Sequence, residues 1–203
     1  MLPTDADSIT TRDKVLRIAA ALYIQHGYSS VSLRDIATEA GMRAGSLYYH
    51  FSSKEQLVST VISLGLDGIL EATQTELAQL RQPTPLKKFY TFLRVHSRTA
   101  LQDGIFLRAF LKISNQLPPE MQQSCSSKIY EYNSILWGIL REMEQNGDVK
   151  LPCKPSILGN FLLGALNYGM DWFGEGELTP DDLANLLADT VLHGIGPVRH
   201  PTD

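Results

Sequence analysis

Between Arg43 and Lys54 the sequence RAGSLYYHFSSK gathers a guanidinium, three small residues, two phenols, an imidazole and an ammonium within twelve positions. This set suits recognition better than covalent chemistry. Arg43 can bond a guanine edge or a phosphate. Ala44, Gly45 and Ser46 are small enough to let a helix approach base edges closely. Tyr48, Tyr49 and His50 bring ring edges and donors that suit phosphates and thymine methyl groups. Lys54 stands where a further helix begins, so its charge and the helix N-terminal amides can meet one phosphate. Adjacent positions on a helix do not share a face, so one of Tyr48 and Tyr49 is expected to pack inward.

Such a probe needs two short helices meeting at a sharp turn. The stretch SLRDIATEAGMRAGSLYYHF, Ser32 to Phe51, has the parts. Ser32 and Asp35 form a capping pair for the first helix. Ala37 is small where the second helix crosses, and Gly41 tolerates the positive φ of the turn. Leu47 plugs the second helix into a core with Ile36 and Ala40. This is a helix-turn-helix pattern, whose second helix lies in the major groove of duplex DNA. The Ala-x-x-x-Gly spacing by itself also occurs in helical pairs that never touch nucleic acid.

The net charge of −4 does not suggest nucleic acid, so charge must be read locally. Residues 1–55 hold six Lys/Arg and six Asp/Glu, while the remainder holds twelve and sixteen. Asp5, Asp7 and Asp13 lie at or near the start; beyond them basic residues lead up to Lys54. A small basic face on an acidic body is enough for phosphate contact.

Other chemistries find little support. Cys125 and Cys153 lack metal-type spacing, and the histidines (26, 50, 96, 193 and 200) are scattered. No phosphate loop or catalytic triad order is visible. No cofactor or metal is therefore expected. The polar N-terminus has no signal-type apolar run and no segment is long enough to span a membrane, so a cytoplasmic protein with reduced thiols is expected. Two other readings stay open on the residues alone: an all-helical enzyme, and a helical interaction module that does not bind DNA.

The apolar spacing is helical nearly throughout, and predicts an all-α chain of nine helices. Helix 1 runs from about Arg12 to His26, with Thr10 as cap. Helix 2 follows Ser32, and helix 3 spans about Ala44 to Tyr49. Helix 4 opens at Ser53, with Gln56 at the capping-box position, and reaches about Leu80. Helix 5 starts with Pro85 and ends near Asp103-Gly104. Helix 6 covers about Ile105 to Ser114, and helix 7 runs from Pro119 to Asn146-Gly147. Helix 8 runs from Pro155 to about Phe173, and helix 9 from Thr179 to Gly194. The expected division is a DNA-binding head, residues 1–55, and a body, residues 56–203, for ligand binding and dimerisation.

The body is rich in aromatics with a few polar groups among them, the usual make-up of a small-ligand pocket. A pocket near His96, Phe110, Trp137, Asn167 and Trp172 is expected, against the blander reading of aromatics as core and His96 as a satisfied histidine. Its character suits an apolar or amphipathic compound. Helices 8 and 9 are apolar on more than one side. Leu158, Leu162, Leu166, Leu183, Leu187 and Val191 are expected at an isologous dimer face.

LRDIATEAGMRAGSLYYHFSSKEQL resembles the head motif of the TetR family of repressors, and the run YYHF followed by SKEQL is highly specific to it. The ending DWFGEGELTPDDLANLLADTVLHGI is similar to the tail of many members. The resemblance implies a homodimer on a palindromic operator, released when a small molecule enters the body, helix 4 swings and the two heads lose their spacing. Repression is the family's usual mode. The family's contact positions fall on Ser32, Arg34, Arg43, Ala44, Gly45, Ser46, Tyr48, Tyr49, His50 and Lys54. Met42-Arg43-Ala44 departs from the small polar residue and lysine of many members, which alters the implied base preference. Members with a similar tail include regulators of fatty-acid and acyl-thioester metabolism, so an acyl thioester, a fatty-acid-like molecule or a lipophilic compound is the implied effector.

Overall fold

The computed structural model describes residues 10–174, 176 and 178–194, apart from the Asp103 side chain. Asp5, Asp7 and His200 lie outside the described residues. All regular structure among those described is helical: α1 (Thr11–Ser30), α2 (Leu33–Glu39), α3 (Ala44–His50), α4 (Lys54–Ala78), α5 (Pro85–Arg98), α6 (Ile105–Ile113), α7 (Pro119–Gln145), α8 (Pro155–Tyr168) and α9 (Pro180–His193). The nine expected helices are present. No helix among the described residues is long and apolar enough to cross a membrane.

The ends follow local chemistry. Thr10, Thr84 and Thr179 each accept a backbone N–H in the first turn of α1, α5 and α9. Gly27 takes φ +78° and kinks α1 at the expected stop, although helical hydrogen bonding resumes to Ser30. Two ends differ from expectation. α5 stops at Arg98 and gives way to a π-helical turn, Thr99–Asp103. α8 stops at Tyr168 and tightens into a 3-10 turn, Gly169–Asp171. Both are helical by pattern, so periodicity could not separate them from the α-helices they extend.

By compactness the chain forms two units, residues 1–68 with 104–128, and residues 69–103 with 129–203. α4 and α7 each contribute to both. In the first unit α1 packs on α2 and α6, and α2 on α3. Its core includes Leu16, Tyr23, Ile36, Leu47, Phe51, Leu57, Ile62 and Ile113. The Gln116 side chain accepts the Tyr28 N–H at 2.8 Å and lies where a Cβ on Gly27 would sit, 2.6 Å away. α6 thus belongs with α1, a neighbour that the division at residue 55 did not foresee.

The second unit packs α5 on α9 and α8. Polar ties cross its helices. Arg98 meets Glu76 at 2.8 Å and Asp181 at 3.0 Å. The second is a charge contact and not an aligned hydrogen bond, since neither Arg98 Nε nor Asp181 Oδ1 has one. Tyr90 donates to Asp189, and Arg94 donates to Asn185 at 2.7 Å.

Gly65 and Gly68 on α4 offer a test of packing. A Cβ on Gly65 would lie 2.8 Å from three backbone atoms of Phe106 and Leu107, whereas one on Gly68 meets nothing within 4 Å. Alanine is favoured over glycine by about 1 kcal/mol inside a helix. Gly68→Ala should therefore raise the melting temperature. Gly65→Ala should lower it, because overpacking against rigid backbone costs about 1–3 kcal/mol. Thermal melts of the two variants check the opposite signs.

Candidate nucleic-acid interface and effector site

The α2–turn–α3 segment is held by reciprocal local bonds. The Asp35 N–H donates to Ser32 Oγ at 3.3 Å, and the Ser32 N–H donates to the Asp35 carboxylate at 2.8 Å. The Ser32 hydroxyl, donating at 2.7 Å, and then the Ser32 N–H hold the Asp35 carboxyl below its usual range. Gly41 turns the chain at φ +68°, and the Met42 N–H returns to the Ala37 carbonyl at 2.9 Å. Leu47 is then wholly buried, with Phe51 beyond the end of α3.

With that anchor in place, the other residues of α3 face outward or lie part-way. Arg43, Gly45 and Ser46 are exposed; Ala44 and His50 are half-buried. Tyr48 is 54% exposed and Tyr49 88%. The expectation that one tyrosine packs inward is corrected: a seven-residue helix needs only Leu47 inside, so both phenols remain outside. Tyr49 and His50 meet edge to face at 5.4 Å between centroids. Ser32 and Arg34 are exposed on the neighbouring helix.

Lys54 does more than carry charge. Its Nζ donates to the Tyr28 carbonyl at 2.6 Å and sits 4.1 Å from the centre of the Tyr28 ring. Partial burial lowers its pKa from the ordinary lysine value. One of its three donors therefore pins the start of α4 to the end of α1. The expected pairing of Ser53 with Gln56 is half formed: the Gln56 N–H donates to Ser53 Oγ at 3.2 Å, while the Gln56 side chain accepts from the Ser52 N–H at 2.7 Å, one residue earlier.

The expected effector residues scatter. His96 and Asn167 come together in the second unit: His96 Nε2 is 2.9 Å from Asn167 Oδ1, and Nδ1 is 2.9 Å from the Tyr132 hydroxyl. His96 is 3% exposed, and burial pushes its pKa down to about 4. Burial also pushes the Tyr132 hydroxyl up. The Tyr132 ring stacks on Phe92 and on His96. Trp137 packs on Tyr130 and against Gly159, where a Cβ would lie 2.6 Å from its ring. Its indole N–H is buried with no acceptor among the described residues. Trp172 is exposed beside Phe173. Phe110 is buried in the first unit. Tyr132 and the buried Thr73 were not expected in the site. Their signal was a polar group on an otherwise apolar helical stripe. Two surface cavities in the second unit, about 320 and 200 Å³, open beside Lys87, Tyr90 and Arg94, and beside Met143, Leu151 and Leu158.

The residues expected at a dimer face divide. Leu162, Leu166 and Leu183 are buried in their own unit, so they close its core and present no surface. Leu158, Leu187 and Val191 are half-buried. The exposed apolar stripe of α8 is Ile157, Phe161 and Tyr168, with the small residues Gly164 and Ala165 between them. Adjacent positions differ by roughly 100° around a helix, so a shift of one residue separates the outer stripe from the inner one. Leu186 is exposed on α9.

A helix-turn-helix with an outward-facing second helix, joined to an all-helical second unit, defines a DNA-binding regulator. The chain belongs to the tetR family of bacterial regulatory proteins. That family's profile matches residues 15–61, and the tetracyclin repressor-like C-terminal domain matches residues 82–195. The HTH-type transcriptional repressor KstR2 of Rhodococcus jostii is 24% identical, over 96% of this chain and 98% of its own. KstR2 of Mycolicibacterium smegmatis is 38% identical, over 39% of each chain. Among solved structures, AibR in complex with isovaleryl coenzyme A and operator DNA has a TM-score of 0.80 at 21% identity, covering 89% of this chain and 97% of that one. The regulator PfmR of Thermus thermophilus has 0.78 at 26%, covering 91% and 100%. Family and relatives agree in describing transcriptional regulators, as the sequence reading expected, and not enzymes.

The buried histidine predicts a pH dependence. Unfolded, an imidazole titrates at about 6.5; in the fold His96 titrates at about 4. Between those values the unfolded chain binds the extra proton. The stability contributed by neutral His96 is full above the upper value and lost as pH falls to the lower one, by on the order of 3 kcal/mol. Denaturant melts from pH 7 to pH 4 should show this loss, and His96→Gln should show less of it.

Proposed function

We propose that the chain is an effector-released repressor that binds a palindromic operator as a homodimer in the cytoplasm. The observation that carries the reading is the outward face of α3: burial of Leu47 alone leaves Arg43, Gly45, Ser46, Tyr48 and Tyr49 exposed, with Ala44 and His50 part-way. Arg43 reads a guanine edge or a phosphate, the small residues allow close approach, and the tyrosines and His50 hold the flanking backbone. Ser32 and Arg34 on α2, and the remaining donors of Lys54, extend the phosphate contacts.

The dimer forms through the exposed stripe of Ile157, Phe161 and Tyr168 together with Leu186. Gly164 and Ala165 let the backbones approach, and a two-fold axis makes the patch self-complementary. The half-buried Leu158, Leu187 and Val191 border it. Two heads held this way match successive major-groove faces, about 34–36 Å or a multiple apart. An effector that prefers another head spacing by a few kcal/mol empties the operator.

The effector is an acyl-coenzyme A or a related carbonyl compound, bound in the second unit with Asn167 as its polar anchor and the buried His96 behind it. AibR, solved with isovaleryl coenzyme A and operator DNA, supports that class. So does KstR2 of Mycobacterium tuberculosis, described as a ketosteroid transcriptional regulator.

Fluorescence anisotropy with DNA from upstream of the coding region tests the reading. Arg43→Ala and Tyr48→Ala should each weaken binding about tenfold or more, with the oligomeric state unchanged. Absence of sequence-specific binding at physiological salt rejects the regulator. Phe161→Glu should give monomers by sedimentation and lose operator affinity; an unaltered dimer rejects the α8 interface.

A further inference from the structure

The hydrogen bonds around His96 have a direction. Asn167 Oδ1 can only accept, so Nε2 of His96 carries the hydrogen and donates to it at 2.9 Å. A neutral imidazole has one N–H, so Nδ1 accepts and the Tyr132 hydroxyl donates at 2.9 Å. Burial keeps the ring in that neutral form. At the far end, beside the Tyr132 hydroxyl, lies the buried Thr73 hydroxyl, which interacts with it but makes no aligned hydrogen bond among the described residues. α7, α5 and α8 are thereby joined by a chain that donates one way, from Tyr132 through His96 to Asn167.

Asn167 is the half-buried end of that chain; His96 and Tyr132 are buried. Its oxygen is committed inward, so its NH₂ is the group it can offer to anything that binds. A second donor stands on the same pair of helices: the Trp137 indole N–H, packed against Gly159 and lacking an acceptor among the described residues. Both groups ask for acceptor atoms, and a carbonyl or carboxylate oxygen is an acceptor that brings no competing donor.

We propose that the Tyr132–His96–Asn167 chain fixes Asn167 as a donor and so selects effectors that place a carbonyl or carboxylate oxygen against its amide. The inference deepens the effector reading above and rests on it. Asn167 would be the contact residue; His96 and Tyr132 would act through it as positioning residues. Reversing the chain would turn the Asn167 amide over and present an acceptor instead.

Calorimetric titration of the full chain with three probes tests this: isovaleryl-coenzyme A, the S-(3-methylbutyl) thioether of coenzyme A that lacks the carbonyl oxygen, and isovalerate. The thioester should bind about tenfold tighter than the thioether, the order of one net hydrogen bond. Asn167→Leu should abolish that preference. Nitrogen-15 spectra of the wild-type chain should show His96 protonated at Nε2, a readout that does not depend on the variant folding. Equal binding of thioester and thioether, a preference that survives in Asn167→Leu, or protonation at Nδ1 overturns the inference and leaves the regulator standing. Binding of isovalerate alone, lost in Asn167→Leu, upholds the chain and makes the acceptor a carboxylate. No binding of any probe overturns the acyl effector and this selection together.

Discussion

The burial of Leu47 is the contact on which the outward face of α3 depends. A helix of seven residues does not hold its shape alone in water, because nucleation costs more than so few hydrogen bonds return. α3 persists because Leu47 is sequestered, the Phe51 N–H bonds back to the Leu47 carbonyl, and the turn before it is bonded through Met42 and Ala37. The arrangement puts stability and recognition on different atoms of one element. The residues that face solvent are free to be chosen for what they touch, because they contribute little to holding the helix in place.

The second unit solves a different problem. Its core holds a histidine, a tyrosine and a threonine among phenylalanines and leucines. Leaving any of these groups unpaired in an apolar interior is expensive. His96 is satisfied at both nitrogens, and its neutral state follows from that burial. Thr73 and the Trp137 indole are not satisfied among the described residues, and such orphans call for an explanation. A polar network of this kind rigidifies its helices when complete and costs stability wherever a member is left unpaired.

Much of this architecture was legible in the sequence, for physical reasons that differ by residue. The turn was readable because only a residue tolerant of positive φ suits Gly41, and the caps because Ser32 and Thr179 each precede an aspartate by three. The side that each helix turns inward was harder. α8 is apolar nearly all round, so the leucines and the Phe161 stripe could not be ranked without knowing what lies inside. Phe110 has helical spacing that reads as body, yet α6 packs on α1, a pairing that depends on tertiary contacts between distant segments. His96 read as either an effector anchor or a solvated or satisfied histidine. Its partners on α7 and α8 lie 36 and 71 residues away. The π-helical turn after Arg98 left no mark in the pattern, because five residues are too few for a changed period to show.

The outer flank of α8 has a cellular consequence. Phe161 is 66% exposed and Tyr168 67%, with Ile157 a turn before them. A contiguous oily strip of this kind on a lone chain is adhesive. Newly made copies carry it until something covers it, and during that interval chaperones and proteases compete for them. The quantity of active protein would then scale more steeply than the rate of synthesis. Low expression would be buffered towards none at all.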